Sequence, residues 1–424
     1  MTPTEKLERI VTEGMCTSCG LCQSMAGEQS VRMTVQDDGN YFPVVVGELS
    51  DAMVDAIYKV CPGTALHGLP ASKAASSPVL DDIWGPYFSM QKGYAADPAV
   101  RHHGSTGGVL TALGLYLAEA CDEIDFILHV KAAGNDMPSF GIRTVSLDRT
   151  DIMAASGSRY GPTAALIDFQ QQLDKGRPFA FIGKPCDVSA IRGLAKLDAR
   201  VDQLMKYCLS LVCGGYQPPD SFKAFLAREG LGDRGEIRAV KYRGDGCPGP
   251  TVVTFADGSS ASMTYTQFWG TDETTWGVPW RCKVCPDGIG DGADIAVADD
   301  WPGASPNPDP AVQAKDPGLN ACVIRTARGQ ALWQAAIDAG YLAVGDLLTP
   351  RYMDSVQPHQ VKKKKFAQSR FQGLADRGRI VPTTQGLRLE QADQQIDARE
   401  RSHQRQGTAA RVDQGKASQP VPKA

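Results

Sequence analysis

Hydrophobic residues in the middle of the chain form short runs of strand length that alternate with longer helical segments. Phe179–Gly183 is a continuous apolar run, as in a buried central strand, and Val188–Leu194 after it predicts a helix. Val109–Ala120 predicts an apolar core helix. The alternation of strands and helices predicts an α/β layer structure. The other predicted strands are Tyr87–Ala95, Phe126–Val130, Leu204–Cys213, Ala293–Ala298 and a hairpin of Thr251–Phe255 with Ala261–Tyr265.

Changes in composition divide the chain into four parts joined by one predicted linker. Residues 1–70 form a small cysteine-bearing unit, and the small, polar, Pro-punctuated segment 70–85 predicts a linker. The core follows in an N-terminal part, 86–175, and a C-terminal part, 176–348. The tail, 349–424, is expected to be basic and largely disordered, with its last ~20 residues disordered and a helical tail as the alternative.

Charge and hydropathy exclude several classes of protein. The 424 residues carry a net charge of −4, but the segment after Pro350 is basic and contains 15 Lys and Arg and 7 Asp and Glu. A basic tail is not the basic folded face of a nucleic-acid binder. No apolar run approaches the roughly 20 residues that span a membrane. The charged start, MTPTEKLERI, lacks a signal peptide, which predicts a cytoplasmic protein with reduced cysteines.

The spacing of the first cysteines carries the clearest chemistry in the sequence. Cys16, Cys19 and Cys22 form C-x-x-C-x-x-C, and Cys61 follows in a Cys-Pro-Gly turn. Such a triplet wraps three thiolates around one face of a cubane cluster, and Cys61 supplies the fourth. Gly20 keeps the loop open enough for backbone N–H groups to point at the sulfurs. Zinc prefers two separated pairs, so the spacing predicts a [4Fe-4S] cluster.

A second metal site is predicted at the C-x-x-C pair of Cys282 and Cys285. Two thiolates cannot complete a four-coordinate site, so the pair needs partners from upstream. Cysteines in turns are better candidates than those inside apolar segments, which often serve as small hydrophobes. The residues alone leave the choice open among the turn cysteines Cys186, Cys213 and Cys247, with Cys121, Cys208 and Cys322 interpreted as buried.

Two polar turns predict a site for an organic cofactor. The first is His102–Gly108, which leads into the apolar helix; its Ser and Thr cap a helix and its glycines let an anion approach. The second, Ser156–Pro162, adds an arginine and a tyrosine. Together the turns suit the phosphates and ring of a cofactor. The alternative is an ordinary capped helix.

The chain resembles the coenzyme F420 hydrogenase/dehydrogenase β-subunit family in motifs that occur in one order: CTSCGLC, CPG, HHGSTGGVLTAL, SRYGP, FIGKPCD, CGG and RCKVCPDGIGDGADIA. GDGCPGP and CPDGIG are similar to a branch of ferredoxin-dependent reductases that includes 7-hydroxymethyl chlorophyll a reductase and a divinyl chlorophyllide reductase. The resemblance covers residues 10–345. It implies FAD and two [4Fe-4S] clusters in an α/β flavoprotein core with a small N-terminal ferredoxin-like unit.

The resemblance also assigns expected roles to residues. It implies a second cluster on Cys186, Cys213, Cys282 and Cys285, with Cys247 in reserve. The expected flavin-binding residues are Ser105, Thr106, Gly107, Gly108, Ser158, Arg159, Tyr160 and Lys184. The ionisable residues expected to deliver a proton are His102, His103, Tyr160 and Lys184.

These expectations combine into an FAD- and [4Fe-4S]-dependent oxidoreductase. Ferredoxin, or a similar one-electron donor, would supply electrons that pass through the clusters to FAD and on to a small organic acceptor. The first alternative is an electron-relay β subunit of a larger F420- or other cofactor-linked hydrogenase or dehydrogenase. The second is a zinc-stabilised binding protein without a redox role. A homo-oligomer or a larger redox complex is expected, and the residues leave the acceptor open.

Overall fold

The computed structural model describes residues 1–270 and 276–424. In the described residues, no helix combines the length and the apolar character needed to cross a membrane. The strands are β1 Val31–Val35, β2 Tyr41–Val45, β3 Ala65–His67, β4 Val79–Asp81, β5 Gly85–Tyr87, β6 Ser89–Ala95, β7 Phe126–Ala132, β8 Gly141–Ser146, β9 Phe179–Gly183, β10 Met205–Leu211, β11 Ile237–Lys241, β12 Thr251–Phe255, β13 Ser260–Met263, β14 Ile295–Asp299, β15 Asn320–Ile324, β16 Leu342–Leu347 and β17 Thr383–Gln385.

Helices lie between most of these strands and dominate the C-terminal region, with a short 3-10 helix at Pro302–Ala304. The α-helices are α1 Pro3–Thr12, α2 Leu21–Ala26, α3 Asp51–Val60, α4 Ala71–Ala74, α5 Pro98–His103, α6 Val109–Glu119, α7 Arg149–Ala155, α8 Phe169–Asp174, α9 Pro185–Leu194, α10 Arg200–Leu204, α11 Pro219–Arg228, α12 Tyr265–Trp269, α13 Trp280–Lys283, α14 Pro310–Gln313, α15 Ala327–Asp338, α16 Pro350–Val356, α17 Pro358–Ala375, α18 Leu389–Gln394 and α19 Ala398–Asp413.

A mixed sheet of eight strands forms the centre of the molecule, in the order β16-β6-β15-β14-β10-β9-β7-β8. Its middle strands, β7, β9, β10 and β14, are parallel, and antiparallel strands flank them on both sides. Parallel strands are buried on both faces, which explains the unbroken apolar run of β9. The predicted α/β fold is confirmed, and the hairpin β12–β13 belongs to a separate three-stranded sheet with β11.

Side chains alternate between the two faces of this sheet, and each face has its own core. One core contains Leu113 of α6, Leu209 of β10 and Trp333 of α15. The other contains Phe181 of β9 and Ile191 of α9. The predicted linker at 70–85 is partly regular in the structure, since it contains α4 and β4.

Of the two expectations for the tail, the structure agrees with the helical one and not with the largely disordered one, because α16 to α19 occupy most of residues 350–413. Phe371 and Val412 are buried in one cluster with Leu7 and Ile57 of the N-terminal unit. Even beyond α19, the N–H of Gln419 donates to the carbonyl of Thr12 at 3.0 Å. The apolar residues of the tail are spaced widely among charged ones, so the sequence pattern predicts helices only weakly. Packing against residues 1–70 makes the tail ordered.

A buried histidine on β7 gives this fold a testable dependence on pH. His129 is 8% exposed, its Nε2 lies 2.6 Å from Ser146 Oγ, and burial lowers its pKa to about 4. The unfolded histidine titrates near 6.5, so between about pH 6.5 and 4 only the unfolded state takes up this proton. The free energy of unfolding should therefore fall by up to about 3 kcal/mol as the pH falls through this window.

Urea unfolding across the same pH range measures this contribution. His129→Gln should lose that part of the pH dependence, whereas the control His102→Gln, at an exposed position, should keep it. Parallel curves for wild type and His129→Gln would contradict the prediction.

Candidate functional site: two cysteine groups and an arginine pocket

Four thiols line one cavity of the N-terminal unit and are called the first cysteine group: Cys16, Cys19, Cys22 and Cys61. Two of them lie in the loop between α1 and α2, one lies in α2, and the fourth caps the C-terminus of α3. The remaining lining is mostly apolar, with Leu7, Ile10, Ile57 and Val60. The structure therefore brings together the four cysteines that the spacing predicted.

The backbone around the first cysteine group turns toward the sulfurs. Ser18 and Gly20 have positive φ angles of 55° and 84°, which curl the loop. The N–H of Ser18 donates to Cys16 Sγ, and the N–H of Gly63 donates to Cys61 Sγ, both at 3.4 Å. Such hydrogen bonds to sulfur are among the factors that set the potential of an iron–sulfur cluster. The expectation that N–H groups point at the sulfurs is confirmed.

Burial keeps the thiols of this group protonated in the absence of metal. Burial raises the pKa of Cys19 to about 12, so without metal the thiol stays protonated, and metal binding must release the proton. Within residues 1–270 and 276–424, no three His, Cys, Asp or Glu side chains converge on a single metal ion. Four thiols around a cavity fit a cluster of several metal atoms, which spans a wider space than one ion.

The second cysteine group contains Cys186 in the first turn of α9, Cys213 after β10, Cys282 in α13 and Cys285 just beyond it. Burial raises the pKa of Cys213 to about 12, and the thiols of Cys282 and Cys285 add to the rise. Cys186 is affected in the same way by Cys213 and Cys282. The structure thus brings Cys186, Cys282 and Cys285, the partners that the resemblance implied, within electrostatic range of Cys213.

The other cysteines lie elsewhere. Cys247 is 4% exposed, and its electrostatic neighbours are Trp301, Asp316, Asp299 and Arg243, so the residue held in reserve is not part of the second group. Cys208 and Cys322 are fully buried in the central sheet, and Cys121 is half-buried after α6.

Tyr216, which is buried, and Lys184, which is half-buried, lie near thiols of both cysteine groups. Tyr216 is 8% exposed, and its pKa is raised by burial and by the thiols of Cys282, Cys16 and Cys186, which belong to both groups. Lys184 Nζ donates to both carboxylate oxygens of Asp187 at 2.8 Å, and its charge acts on Cys186 and Cys19.

Tyr216 was missed by sequence reasoning, although it stands three residues after Cys213 in a glycine turn. Lys184 was expected beside a flavin, and the structure places it at the cysteine groups. The backbone just after the second polar turn also contacts the loop of the first cysteine group, since the N–H of Ala164 donates to the carbonyl of Ser18.

The two polar turns meet in a site that we call the arginine pocket, after Arg243. Its guanidinium donates to Asp299 at 2.9 and 3.0 Å, to Thr106 Oγ1 at 2.6 Å and to the Ser105 carbonyl at 2.8 Å. Ser158 Oγ donates to Ser105 Oγ at 2.8 Å. Neither Arg243 nor Asp299 was predicted, but a carboxylate at the end of a central strand is a usual sign of a site in an α/β sheet.

The glycines of the first turn serve close packing. A Cβ at Gly107 would lie 2.7 Å from Asn320 Oδ1, and the same atom accepts the N–H of Val109 at 3.2 Å, so the start of α6 already has a partner. His102 is exposed, and His103 pairs with Asp245 at the surface with 3.0 Å between Nδ1 and Oδ1. Proton delivery by these histidines stays a prediction.

Arg159 tests whether the second turn fits an anionic cofactor. Its NH1 donates to the Ser158 carbonyl at 2.9 Å, while its buried Nε has no hydrogen-bond partner in the described part of the chain. Burial lowers the pKa of this arginine. Tyr160 beside it packs edge-on against Trp269, with 4.9 Å between ring centroids. A buried donor without an acceptor, next to aromatic rings, fits a group that carries a phosphate and a planar ring.

The pocket is tied to the cysteine groups through the backbone. The N–H of Gln217, which follows Tyr216, donates to the carbonyl of Tyr160. The segment between the two cysteine groups is therefore hydrogen-bonded to the wall of the arginine pocket, and all three sites form one connected region.

Comparisons with known proteins agree on one family. Residues 90–168 match the model of the N-terminal domain of the coenzyme F420 hydrogenase/dehydrogenase beta subunit, and residues 176–349 match that of its C-terminus. A curated relative, the F420-dependent formate dehydrogenase 1 subunit beta of Methanococcus maripaludis, is 29% identical over 208 residues. That match covers 49% of this chain and 50% of the relative, so the chain matches about half of the relative's length.

A solved structure supports the fold. A chain of the F420-reducing [NiFe] hydrogenase complex from Methanosarcina barkeri, studied by xenon derivatization, superposes with a TM-score of 0.55 at 19% identity. The superposition covers 73% of this chain and 99% of the other. The two family models, taken together, span more than half of the sequence. The chain therefore belongs to the coenzyme F420 hydrogenase/dehydrogenase beta-subunit family.

Proposed function

We propose that this chain is an iron–sulfur oxidoreductase subunit that relays electrons within a larger redox complex. The observation that carries the proposal is the pair of four-cysteine groups with Tyr216 between them. Further support comes from the matched proteins, which are a dehydrogenase beta subunit and a chain of a hydrogenase complex. A relay subunit accords with these relatives better than the free-standing, ferredoxin-dependent reductase expected from the sequence.

Hydrogen bonds and nearby charges make the two cysteine groups suitable for binding iron–sulfur clusters. Bound iron–sulfur clusters would each exchange one electron at a time. Burial keeps water away from the thiolates, and the N–H groups of Ser18 and Gly63 lower the charge density on two sulfurs. At Cys186 the Lys184 ammonium acts more strongly than the Asp187 carboxylate with which it is paired, and it favours added negative charge there, whereas at Cys19 the carboxylate acts more strongly.

We further propose that the arginine pocket holds a flavin-type cofactor, either FAD or coenzyme F420, which the description of the family names. Both carry a planar ring and a phosphate, and when bound such a group would exchange two electrons with a partner. Arg159 would bind a phosphate through its unpartnered Nε, and Tyr160 would pack against the ring. The alternative, a reductase that passes electrons on to a small organic acceptor, shares this pocket.

Anaerobic purification followed by iron, sulfide, zinc and flavin analysis tests the proposal. Two clusters require about eight irons per chain with matching sulfide. A relay subunit should exchange electrons with a viologen dye but should not turn over small organic acceptors until a partner subunit is added. Turnover by the chain alone would favour the reductase. Zinc in place of iron would overturn the redox proposal.

A further inference from the structure

Helix α17 lies beyond both segments that match the family models, yet it contacts the second cysteine group. Gln360 Nε2 donates to the carbonyl of Cys213 at 3.0 Å. One turn further on, Lys363 Nζ donates to the carbonyl of Gly214 at 2.7 Å. Both side chains are almost fully buried, with exposed fractions of 4% and 6%. The C-terminal extension therefore supplies part of the wall of this site.

Both backbone polar groups of Cys213 are hydrogen-bonded. Its N–H donates to the carbonyl of Gly288 at 2.7 Å, and its carbonyl accepts from Gln360. Any side chain at Gly288 would collide with the amide oxygen of Gln360. The positive charge of Lys363 acts on the thiols of Cys213 and Cys282.

Neighbouring residues of the extension hold α17 in place. Lys364 forms an ion pair with the fully buried carboxylate of Asp291, to which Arg388 also donates. Arg370 NH1 donates to the carbonyl of Lys283, in the same short helix as Cys282, at 2.7 Å. Gln360 before Lys363, and Lys364 and Arg370 after it, fix α17, and the hydrogen bond to the Gly214 carbonyl holds the Lys363 ammonium group next to Cys213.

We propose that the positive charge of Lys363 stabilises the reduced form of the cofactor that the second cysteine group binds. The inference rests on the proposed function. One-electron reduction would add one negative charge to the group that the thiolates hold, and a buried ammonium group nearby favours that charge because the surrounding protein screens it poorly. The C-terminal extension would thus be part of the redox site, and the first cysteine group would lack this contribution.

Redox titration of the anaerobic holoprotein, followed by electron paramagnetic resonance, tests this role. With dithionite as the reductant, Lys363→Gln should lower the ratio of reduced to oxidised second cluster about tenfold at a fixed potential, a midpoint shift of about 59 mV for one electron. The signal of the first cluster serves as the internal reference. Lys365→Gln removes a charge from the same helix at a half-buried position and should titrate like wild type.

Different results would overturn the role of Lys363 and the proposed function. Superimposed titrations of wild type and Lys363→Gln, or equal shifts of both clusters, would overturn the role of Lys363 while both clusters remain. Absence of iron from the wild-type protein would instead overturn the proposed function. Should Lys363→Gln fail to load iron, Gln360→Glu, which adds a negative charge at Cys213, must lower the same midpoint; an unchanged midpoint would overturn the inference.

Discussion

Cys282→Ser is expected to remove about four irons per chain and to leave the remaining four in place. Cys282 is a half-buried member of the second cysteine group, where its thiol lies within electrostatic range of Cys213 and Cys285. A serine hydroxyl is a much poorer ligand for iron than a thiolate, and three thiolates cannot complete the set. The variant should keep the spectrum of the first cluster, because its four thiols line a separate cavity.

Iron analysis and electron paramagnetic resonance of the anaerobically purified variants measure this effect. The matched control is Cys121→Ser, a half-buried cysteine outside both groups, which should retain all the iron. Cys61→Ser provides the reciprocal variant and should lose the first cluster only. Equal iron loss in Cys121→Ser, or unchanged iron content in Cys282→Ser, would contradict the assignment of the second group.

Asp291→Ala is expected to lower the free energy of unfolding by about 3–5 kcal/mol, because it leaves buried positive charges without their partner. The Asp291 carboxylate is fully buried and pairs with Lys364 and Arg388, both from the C-terminal extension. Burial alone would raise its pKa, but these cations and Arg325 hold that pKa below its usual value. The carboxylate therefore stabilises the fold at neutral pH, and its contribution is lost as the solution becomes acidic.

Urea unfolding of the purified protein at pH 7 measures the loss. The control is Asp376→Ala, which breaks the exposed pair with Arg405 and should lower the free energy of unfolding far less than Asp291→Ala does. If the two variants lose similar stability, the buried network does not hold the extension on the core. A cooperative loss that also exposes the second cysteine group to thiol reagents would confirm the connection between them.

The sequence predicted the site unevenly, and particular residues explain why. Cys16, Cys19 and Cys22 are close along the chain, so their spacing alone brings three thiols together. Lys184 was expected beside a flavin because it follows a strand end, but α9 turns it toward Asp187 and the cysteines. Arg243 is far from Ser105 and Thr106 along the chain, so no local sequence pattern predicts its hydrogen bonds to them.

The local elements and the grouping of Cys16, Cys19 and Cys22 could be predicted from the sequence. The apolar run Phe179–Gly183 became β9 with the same bounds, since a continuous apolar segment between turns is stable only as a buried strand or helix. Tertiary structure alone decided that Cys186 and Cys213 meet the Cys282 pair, and that α17 is ordered against them. The physical reason is distance along the chain: such contacts depend on how the sheet and the extension pack, and neither spacing nor periodicity encodes that packing.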